Sequence, residues 1–344
     1  KHKPDYAYNT MKTKDNFNSD GFGAEILNFK TLKETNFLAK KKKEREHVTQ
    51  FIRNNKNLFK IECLNPSRGL NFPYLNFDVN TSSNLKKIKN VISKQKINFN
   101  TPAKKIVKSL LTSEIDLYLK KLFPLNRSLT GEGNIKTLKE INNITKIKIK
   151  KIQSGKKVYD WTVPKEWIVK EAWIKDLHSK KKIIDFKKNN LSLINYSNSF
   201  YGKLFGSQLK PKLHYHNKLK NAIPYKTTYF KKDWGFCVNK EIYKKIIGGK
   251  KKFEINIKTK FKNGNLVYGE KILKGKSKKE ILISTYICHP SMANDNLSGV
   301  ILTSFLAKFL SSIKNRKWTY RILFVPETIG AIAYLKKNEK LMKK

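Results

Sequence analysis

His289, Asp295 and Glu327 are the side chains of this sequence whose types and spacing could do chemistry. An imidazole, a carboxylate able to bridge two cations and a second carboxylate placed as a base are what metal-assisted hydrolysis needs. A bound cation lowers the pKa of water and polarises a carbonyl, while the nearby Glu shuttles the proton. Zinc suits such a nitrogen and oxygen donor set. Each residue alone also has a structural reading. A single His after a strand is commonly a satisfied structural group. Asp295 could cap the following helix, and Glu327 could be a helix-start carboxylate favoured by the dipole. Their joint placement favours a site.

The surrounding sequence supplies elements to position them. EILISTYI reads as a buried strand that delivers Cys288, His289 and Pro290 to its carboxyl end. A short loop holds Asp295, and NLSGVILTSFLAKFLSSI reads as a helix. TYRILFV reads as a second buried strand ending at Pro326, Glu327 and Thr328, and IGAIAYLKK as a second helix. Strand–helix–strand–helix order predicts a parallel sheet covered by helices, with its ligand crevice beyond the strands' carboxyl ends. The three residues are therefore expected to converge.

Stepping outward, 344 residues suggest two domains. Residues 1–95 mix helix and short strands: AEILNFKTLKETNFL as a strand entering a helix, EREHVTQFIRNN as one helix, LFKIECL as a strand, and SSNLKKIKNVISK as a helix capped by Ser82 or Ser83. Residues 96–106 read as a linker. The second domain, 107–344, opens with the amphipathic helix VKSLLTSEIDLYLKKLF, a turn-rich loop NRSLTGEGN and the short helix TLKEINNITK. From about 147 to 240, KIKIKKIQ, KVYDWTV, EAWIKDL, KIIDF, LSLINYS and DWGFCV predict a small inserted β-rich subdomain. FEINIKTKF and NLVYGEKIL read as a hairpin around Lys262, Asn263, Gly264 and Asn265. The fold class expected is α/β.

The net charge of +48 first suggests a nucleic acid or a membrane surface. Of 74 basic residues, however, only Arg45, Arg53, Arg68, Arg127, Arg316 and Arg321 carry the forked guanidinium that phosphate and base recognition favours. The lysines are dispersed along the chain, so they read as solvated surface, and no nucleic-acid partner is expected. Cys63, Cys237 and Cys288 are widely spaced and imply no disulfide framework. No apolar run is long enough to span a membrane and no signal peptide is visible, so a reducing cytoplasm is the expected setting. A chain that starts at Lys1 and stops within LKKNEKLMKK reads as cut from a longer one.

Further candidates are weaker. His214 and His216 flank Tyr215; on a strand they would share a face and could hold an extra metal, or they could be a solvated loop pair. Arg127 and Glu132 in NRSLTGEGN could bind a substrate terminus or carboxylate, or simply cap a turn. Asp160, Trp161 and Trp167 could line a pocket, with aromatic core packing the plainer reading. Cys288 lacks a third orienting group for a nucleophile's role.

HPSMANDNLSG followed by FVPETIG resembles the zinc aminopeptidase superfamily. LFPLNRSLTGEG, VYDWTVPKEW, IDFKKNNLSLINYS, AIPYKTTYFKKDWGFC and STYICHPSMANDNLSG, in this order, are most similar to the aminopeptidase-like domain family found with polysaccharide-biosynthesis genes. The resemblance covers about residues 110–344. It implies one or two zinc ions, with His289 a ligand, Asp295 the bridging ligand and Glu327 the general base. It also implies a small peptide, amino-acyl or amino-sugar substrate. Thr328 stands where the family has a second acid, which departs from a two-metal pattern. The family's later Asp and His ligands would fall beyond residue 344.

DYAYNT, SDGFGAEILNF, EREHVTQFIRNN and FDVNTSSNLKKI resemble the C-terminal part of cytidylyltransferases of acidic-sugar and spore-coat polysaccharide synthesis, over about residues 4–93. That resemblance implies sugar contacts from Asp20, Glu25, Arg45 and His47, and magnesium in the parent enzyme. Asn80 replaces the Asp that helps hold the metal there.

Overall fold

Short strands and helices build the N-terminal part. The computed structural model describes residues 3–9, 19, 21–47, 49–66, 69–229 and 231–343. Strands β1 (Tyr6–Tyr8) and β2 (Glu25–Leu27) pair antiparallel, and β1 pairs parallel with β3 (Ile61–Cys63). Between β2 and β3 lie α1 (Phe29–Leu38), α2 (Lys42–Glu46) and α3 (Gln50–Asn54). Asn28 caps α1 by accepting the Thr31 amide. Tyr6, Tyr8, Phe51, Ile52 and Phe59 form a small core under the three strands. EREHVTQFIRNN is thus not one helix: the chain turns extended at His47 and restarts after Thr49. Helix α4 (Ser82–Gln95) is capped by Thr81, not by Ser82 or Ser83. Thr81 is the residue with extended backbone, so its hydroxyl can accept the Asn84 amide at 3.2 Å. Helix α5 (Ala103–Leu122) begins four residues earlier than VKSLL suggests. Leu75, Val91, Val107 and Leu110 form a second core.

The chain divides into two compact units, one of residues 1–117, 273–278 and 306–319, the other of 118–272, 279–305 and 320–344. The second begins with the end of α5, then α6 (Glu132–Ile144), which buries Leu138, Ile141 and Ile144 along one face. The next strands are β4 (Lys148–Gln153), the tiny hairpin β5 (Lys157–Val158) and β6 (Trp161–Thr162), β7 (Glu166–Asp176), β8 (Lys182–Asp185) and β9 (Phe200–Phe205). Helix α7 (Gly206–Leu209), the parallel pair β10 (Leu213–His214) and β11 (Phe236–Cys237), and α8 (Lys240–Ile247) follow. Then come β12 (Lys252–Lys262), β13 (Asn265–Leu273), β14 (Glu280–Tyr286), α9 (Ser298–Ser312), β15 (Thr319–Val325) and α10 (Ile329–Met342).

Two four-stranded sheets result, with orders β8-β7-β12-β9 and β14-β15-β13-β4. In the first, Ala172, Ile174, Phe253, Ile255 and Ile257 alternate inward, as a half-buried antiparallel sheet requires. The expected hairpin at Asn263 and Gly264 does not form: β12 stays with β7 and β9, while β13 crosses to the other sheet. The local cause is Glu166, whose carboxylate accepts the Asn265 amide at 3.0 Å. It also lies where any Cβ on Gly264 would sit. The β-rich stretch also shares its strands, since β4 pairs with β13 in the second sheet. LSLINYS forms a short 3-10 turn (Asn190–Ser192) and single bridges instead of a strand. The side chains of Asn190, just before it, and Asn195, within it, donate to the Pro124 and Arg127 carbonyls.

The second sheet positions the candidate site. Contacts between β14 and β15 advance together along both: Glu280 with Arg321, then Ile287 with Val325, then His289 with Glu327. Such a progression means parallel strands, and α9 supplies the crossover that a parallel pair requires. β14 lies at the sheet's edge, and Ile281 and Leu282 are exposed, so this strand is less buried than its apolar run predicts. Among the described residues, no helix is long and apolar enough to cross a membrane.

Candidate metal centre

Where β14 and β15 end, their loops bring His289, Asp295 and Glu327 together. The Ile287 amide donates to the Val325 carbonyl at 3.0 Å, which keeps the strands paired until the two loops leave the sheet. His289 Nε2 then lies 3.0 Å from Glu327 Oε2, and its Nδ1 lies 3.3 Å from Asp295 Oδ1. The imidazole is 8% exposed, whereas the Asp295 and Glu327 side chains are 58% and 48% exposed. A buried ring therefore stands behind two accessible acids. Asp295 sits in the tight turn Ala293–Leu297 before α9, off helical geometry at φ −113° and ψ 88°. The Tyr286 hydroxyl donates to Asp295 Oδ1, and that bond to the carboxylate helps push the phenol up to about 12.

The backbone on both sides is unusual. Ser291 and Thr328 have φ of 40° and 55°, the left-handed region that non-glycine residues avoid. One stands two residues after His289 and the other directly after Glu327. Conformations of this kind concentrate at functional sites, where surrounding structure enforces them.

Cys288 completes a group of three donors. Its Sγ, a His289 nitrogen and a Glu327 oxygen lie within 4.8 Å of one another. The thiol is buried, which pushes it up to about 12, and it accepts the Glu327 amide at 3.2 Å. In this arrangement it anchors the Glu327 backbone. The Tyr225 ring lies 4.8 Å from the imidazole and its hydroxyl 3.1 Å from that of Tyr229. Composition gave no reason to single out Tyr225 or Tyr286. The sequence signal was that Tyr225 falls within AIPYKTTYFKKDWGFC and Tyr286 within STYICHPSMANDNLSG.

Arg127 comes to this loop from below. It is fully buried, with Nε donating to the His289 carbonyl at 2.7 Å and Nη1 to the Leu122 carbonyl at 3.2 Å. Nη2 is buried with no hydrogen-bond partner. Burial lowers the guanidinium to about 10. Arg127 thus touches the backbone of the candidate centre and not its open face. Glu132, paired with it in the sequence reading, lies elsewhere. It is exposed in the first turn of α6, 2.9 Å from Lys136, on a cavity of about 490 Å³ that Thr130, Glu166 and Trp167 also line. Trp167 is core, as its plainer reading expects: its indole donates to the Ser197 carbonyl and stacks on Tyr196.

The remaining candidates stand apart from His289. His214 lies on β10, and burial lowers its pKa. His216 Nδ1 accepts the amides of Lys218 and Leu219 at 3.2 and 3.0 Å, a turn-capping role. Among the described residues neither joins a group of three donors. In the first unit, Glu25 accepts from Thr49 at 2.9 Å and meets Arg53 at 3.4 Å. Arg45 donates to the Asn36 and Ala39 carbonyls, both at 3.1 Å, and so clasps the end of α1. His47 ends α2, and its carbonyl accepts the Gln50 amide. Asp20 lies outside the described residues.

One imidazole and two carboxylates are a nitrogen and oxygen set that zinc takes, and an imidazole can give the ion one nitrogen while a carboxylate orients the other. Asp295 faces Nδ1 and Glu327 faces Nε2, and among the described residues the three donors within 4.8 Å of one another are Cys288, His289 and Glu327, so Asp295 would reach an ion shared with Glu327 only after a shift of its side chain. Asn296, next to Asp295 and 4% exposed, has neither side-chain amide atom hydrogen-bonded. An orphaned buried amide beside a donor cluster is the pattern of a site whose partners include something other than protein.

Comparison with known proteins places the chain. Over 230 residues it is 44% identical to a Clostridium acetobutylicum protein named for polysaccharide biosynthesis and an aminopeptidase-like domain; the match covers 67% of this chain and 52% of that protein. It also matches the crystal structure of a C. acetobutylicum protein named as a peptidase, with TM-score 0.64 and 39% identity, over 75% of this chain and 56% of that one. The chain spans about half the length of these relatives. A more distant likeness is to the zinc aminopeptidase of Bacillus subtilis, at 13% identity and TM-score 0.41, covering 65% of this chain and 63% of that one. The model of the family described as a domain of unknown function (DUF4910) matches residues 117–344, two thirds of the sequence, and the chain belongs to that family.

Proposed function

We propose that residues 107–344 carry part of a zinc-dependent, aminopeptidase-like hydrolase. It would cut a peptide or amide bond in a small peptide, amino-acyl or amino-sugar substrate during assembly of surface polysaccharide. The observation that carries this reading is one buried imidazole flanked by two accessible acids, at 3.0 and 3.3 Å, at the carboxyl ends of parallel strands. The aminopeptidase-like relative named for polysaccharide biosynthesis supports the setting.

His289 and Asp295 would hold the ion, and with Thr328 in place of a second acid the proposal is for one ion. When bound, zinc supplies a Lewis acid for the scissile carbonyl and acidifies water. Glu327, half-exposed with its amide fixed on Cys288, would take a proton from attacking water and return it to the leaving amine. Tyr286 holds one oxygen of Asp295 and leaves the other free to bind.

The test is zinc titration of the chain and of His289→Ala, together with amide hydrolysis by the longer parent protein. The expected outcome is zinc binding that disappears in the variant. Equal zinc content in both would remove His289 from the ligand set.

For residues 1–95 we propose a cytidylyltransferase remnant, supported by the motif likeness and by the Glu25, Thr49 and Arg53 cluster. CTP-dependent release of pyrophosphate by the parent, with magnesium, is its test. If the parent holds no metal and turns nothing over yet retains sugar or peptides, the remaining reading is a binding module on a hydrolase fold.

A further inference from the structure

A fully buried guanidinium usually faces a carboxylate, because an uncompensated charge in a protein interior is costly. Arg127 does not. Its hydrogen-bond acceptors are two neutral carbonyls, those of Leu122 and His289, and its third nitrogen has none. Fold stability alone is a poor account of such a group, since a neutral side chain of similar shape would avoid the charge. The carbonyl it grips most closely, at 2.7 Å, belongs to the residue whose imidazole stands between Asp295 and Glu327.

A second pin holds the same loop two residues on. Ser291 Oγ lies against the Phe123 carbonyl at 3.0 Å and donates to Asn190 Oδ1. The Asn190 amide in turn donates to the Pro124 carbonyl at 3.1 Å. Asn195 donates to the Arg127 carbonyl, and Ser128 to Asn195. The turn after α5, the Asn-rich segment 190–195 and the loop after β14 are thus joined by one buried polar network. It holds the loop at the His289 carbonyl and at Ser291, whose φ of 40° is left-handed.

We propose that Arg127 is a positioning residue: by bridging the carbonyls of Leu122 and His289 it sets the orientation of the His289 imidazole toward the acids of the metal centre. Partners of a ligand that lie one shell out commonly change metal affinity 10- to 100-fold when removed. The inference rests on the zinc reading above for its affinity readout, and on geometry alone for its second readout.

The experiment compares wild type with Arg127→Lys, which keeps the charge but replaces the planar fork with a single ammonium, and with Ser291→Ala, which removes the neighbouring pin and leaves the cation. Ile174→Val, a core change in the same unit, controls for general loosening. Zinc affinity is read by competition with a chromogenic chelator. The His289 ring is read in the metal-free chain from its imidazole ¹H–¹⁵N NMR signals, assigned with His289→Gln. We expect Arg127→Lys to weaken zinc about tenfold or more and to shift or split the His289 signals. Ser291→Ala should do the same to a smaller degree, and Ile174→Val should do neither. If wild type binds no zinc, the metal reading falls, and the NMR signals alone decide the positioning role. Unchanged signals in a folded Arg127→Lys protein overturn it. Should Arg127→Lys not fold, Arg127→Gln, which keeps a planar amide donor without the charge, takes its place, and unchanged His289 signals in that variant overturn it.

Discussion

The same two strands carry an acid at each end, and the two ends are built in opposite ways. At the start of β14 and β15, Arg321 bonds Glu280 at 2.6 and 2.9 Å and reaches Glu270 on β13 at 2.8 Å. Tyr334 of α10 and Lys150 of β4 complete that cluster. Every charge there has an opposite charge beside it, and Arg321 is held above its ordinary pKa by Glu280. At the other end, Asp295 and Glu327 have no Lys or Arg ion pair among the described residues, in a chain with 74 basic residues against 26 acidic. Their partner is an imidazole. The matched end is what a sheet needs to stay folded. The unmatched end keeps two acids accessible with negative charge to spend, which is what cation binding needs.

Breaking the matched end should cost the most. Arg321→Met strands Glu270, which is 3% exposed, against Tyr334 and Lys150 alone. Removing one partner of a buried ion cluster costs about 3–5 kcal/mol, and we expect that loss in urea unfolding. The unmatched end should respond in reverse. His289→Ala should lower zinc affinity at least about 100-fold, about 2.7 kcal/mol, while the unfolding midpoint of the metal-free chain moves little. Glu327→Gln sharpens the contrast: a half-exposed acid with no Lys or Arg ion pair among the described residues should change stability by less than about 0.5 kcal/mol, yet lower hydrolysis by the parent about 10²- to 10⁴-fold if it moves the proton. A large stability loss in Glu327→Gln would make that end structural after all.

How much of this could be read from the residues differs between the ends too. The His289, Asp295 and Glu327 convergence was legible because strand ends and a crossover helix fix where the loops go. The Arg321, Glu270 and Glu280 cluster was not. Its members lie on three strands separated by the loop after β13 and by α9, and only the strand order puts β13 beside β15. The Gly264 turn misled for the same reason: a two-residue turn constrains its own backbone but not which sheet receives the next strand. Asn190, Asn195 and Ser291 were hidden by composition. In a chain so rich in Asn and Lys, a buried amide looks like the exposed ones until burial is known. Thr81 displaced Ser82 and Ser83 as a cap, by one and two positions, which is a question of where the backbone turns helical and not of residue type.

The smallest expected effect is also the one that isolates the matched end by charge alone. Burial raises the Glu270 carboxyl, but the Lys150, Tyr334 and Arg321 contacts outweigh it and leave the group below its ordinary 4.5. A carboxyl with a depressed folded pKa binds protons more readily in the unfolded chain between the two values. Its contribution is therefore whole above 4.5 and drains away as pH falls through the lower folded value. Glu270→Gln removes this proton uptake, so the variant, though less stable at pH 7, should lose less stability than wild type as pH falls below 4.5. The comparison to make is the slope of unfolding free energy against pH for the two proteins over that acid range. Parallel slopes would mean that Glu270 does not sense its cations. In that case the two ends of the β14–β15 pair would differ only in exposure, and the contrast between a matched and an unmatched end would lose its electrostatic basis.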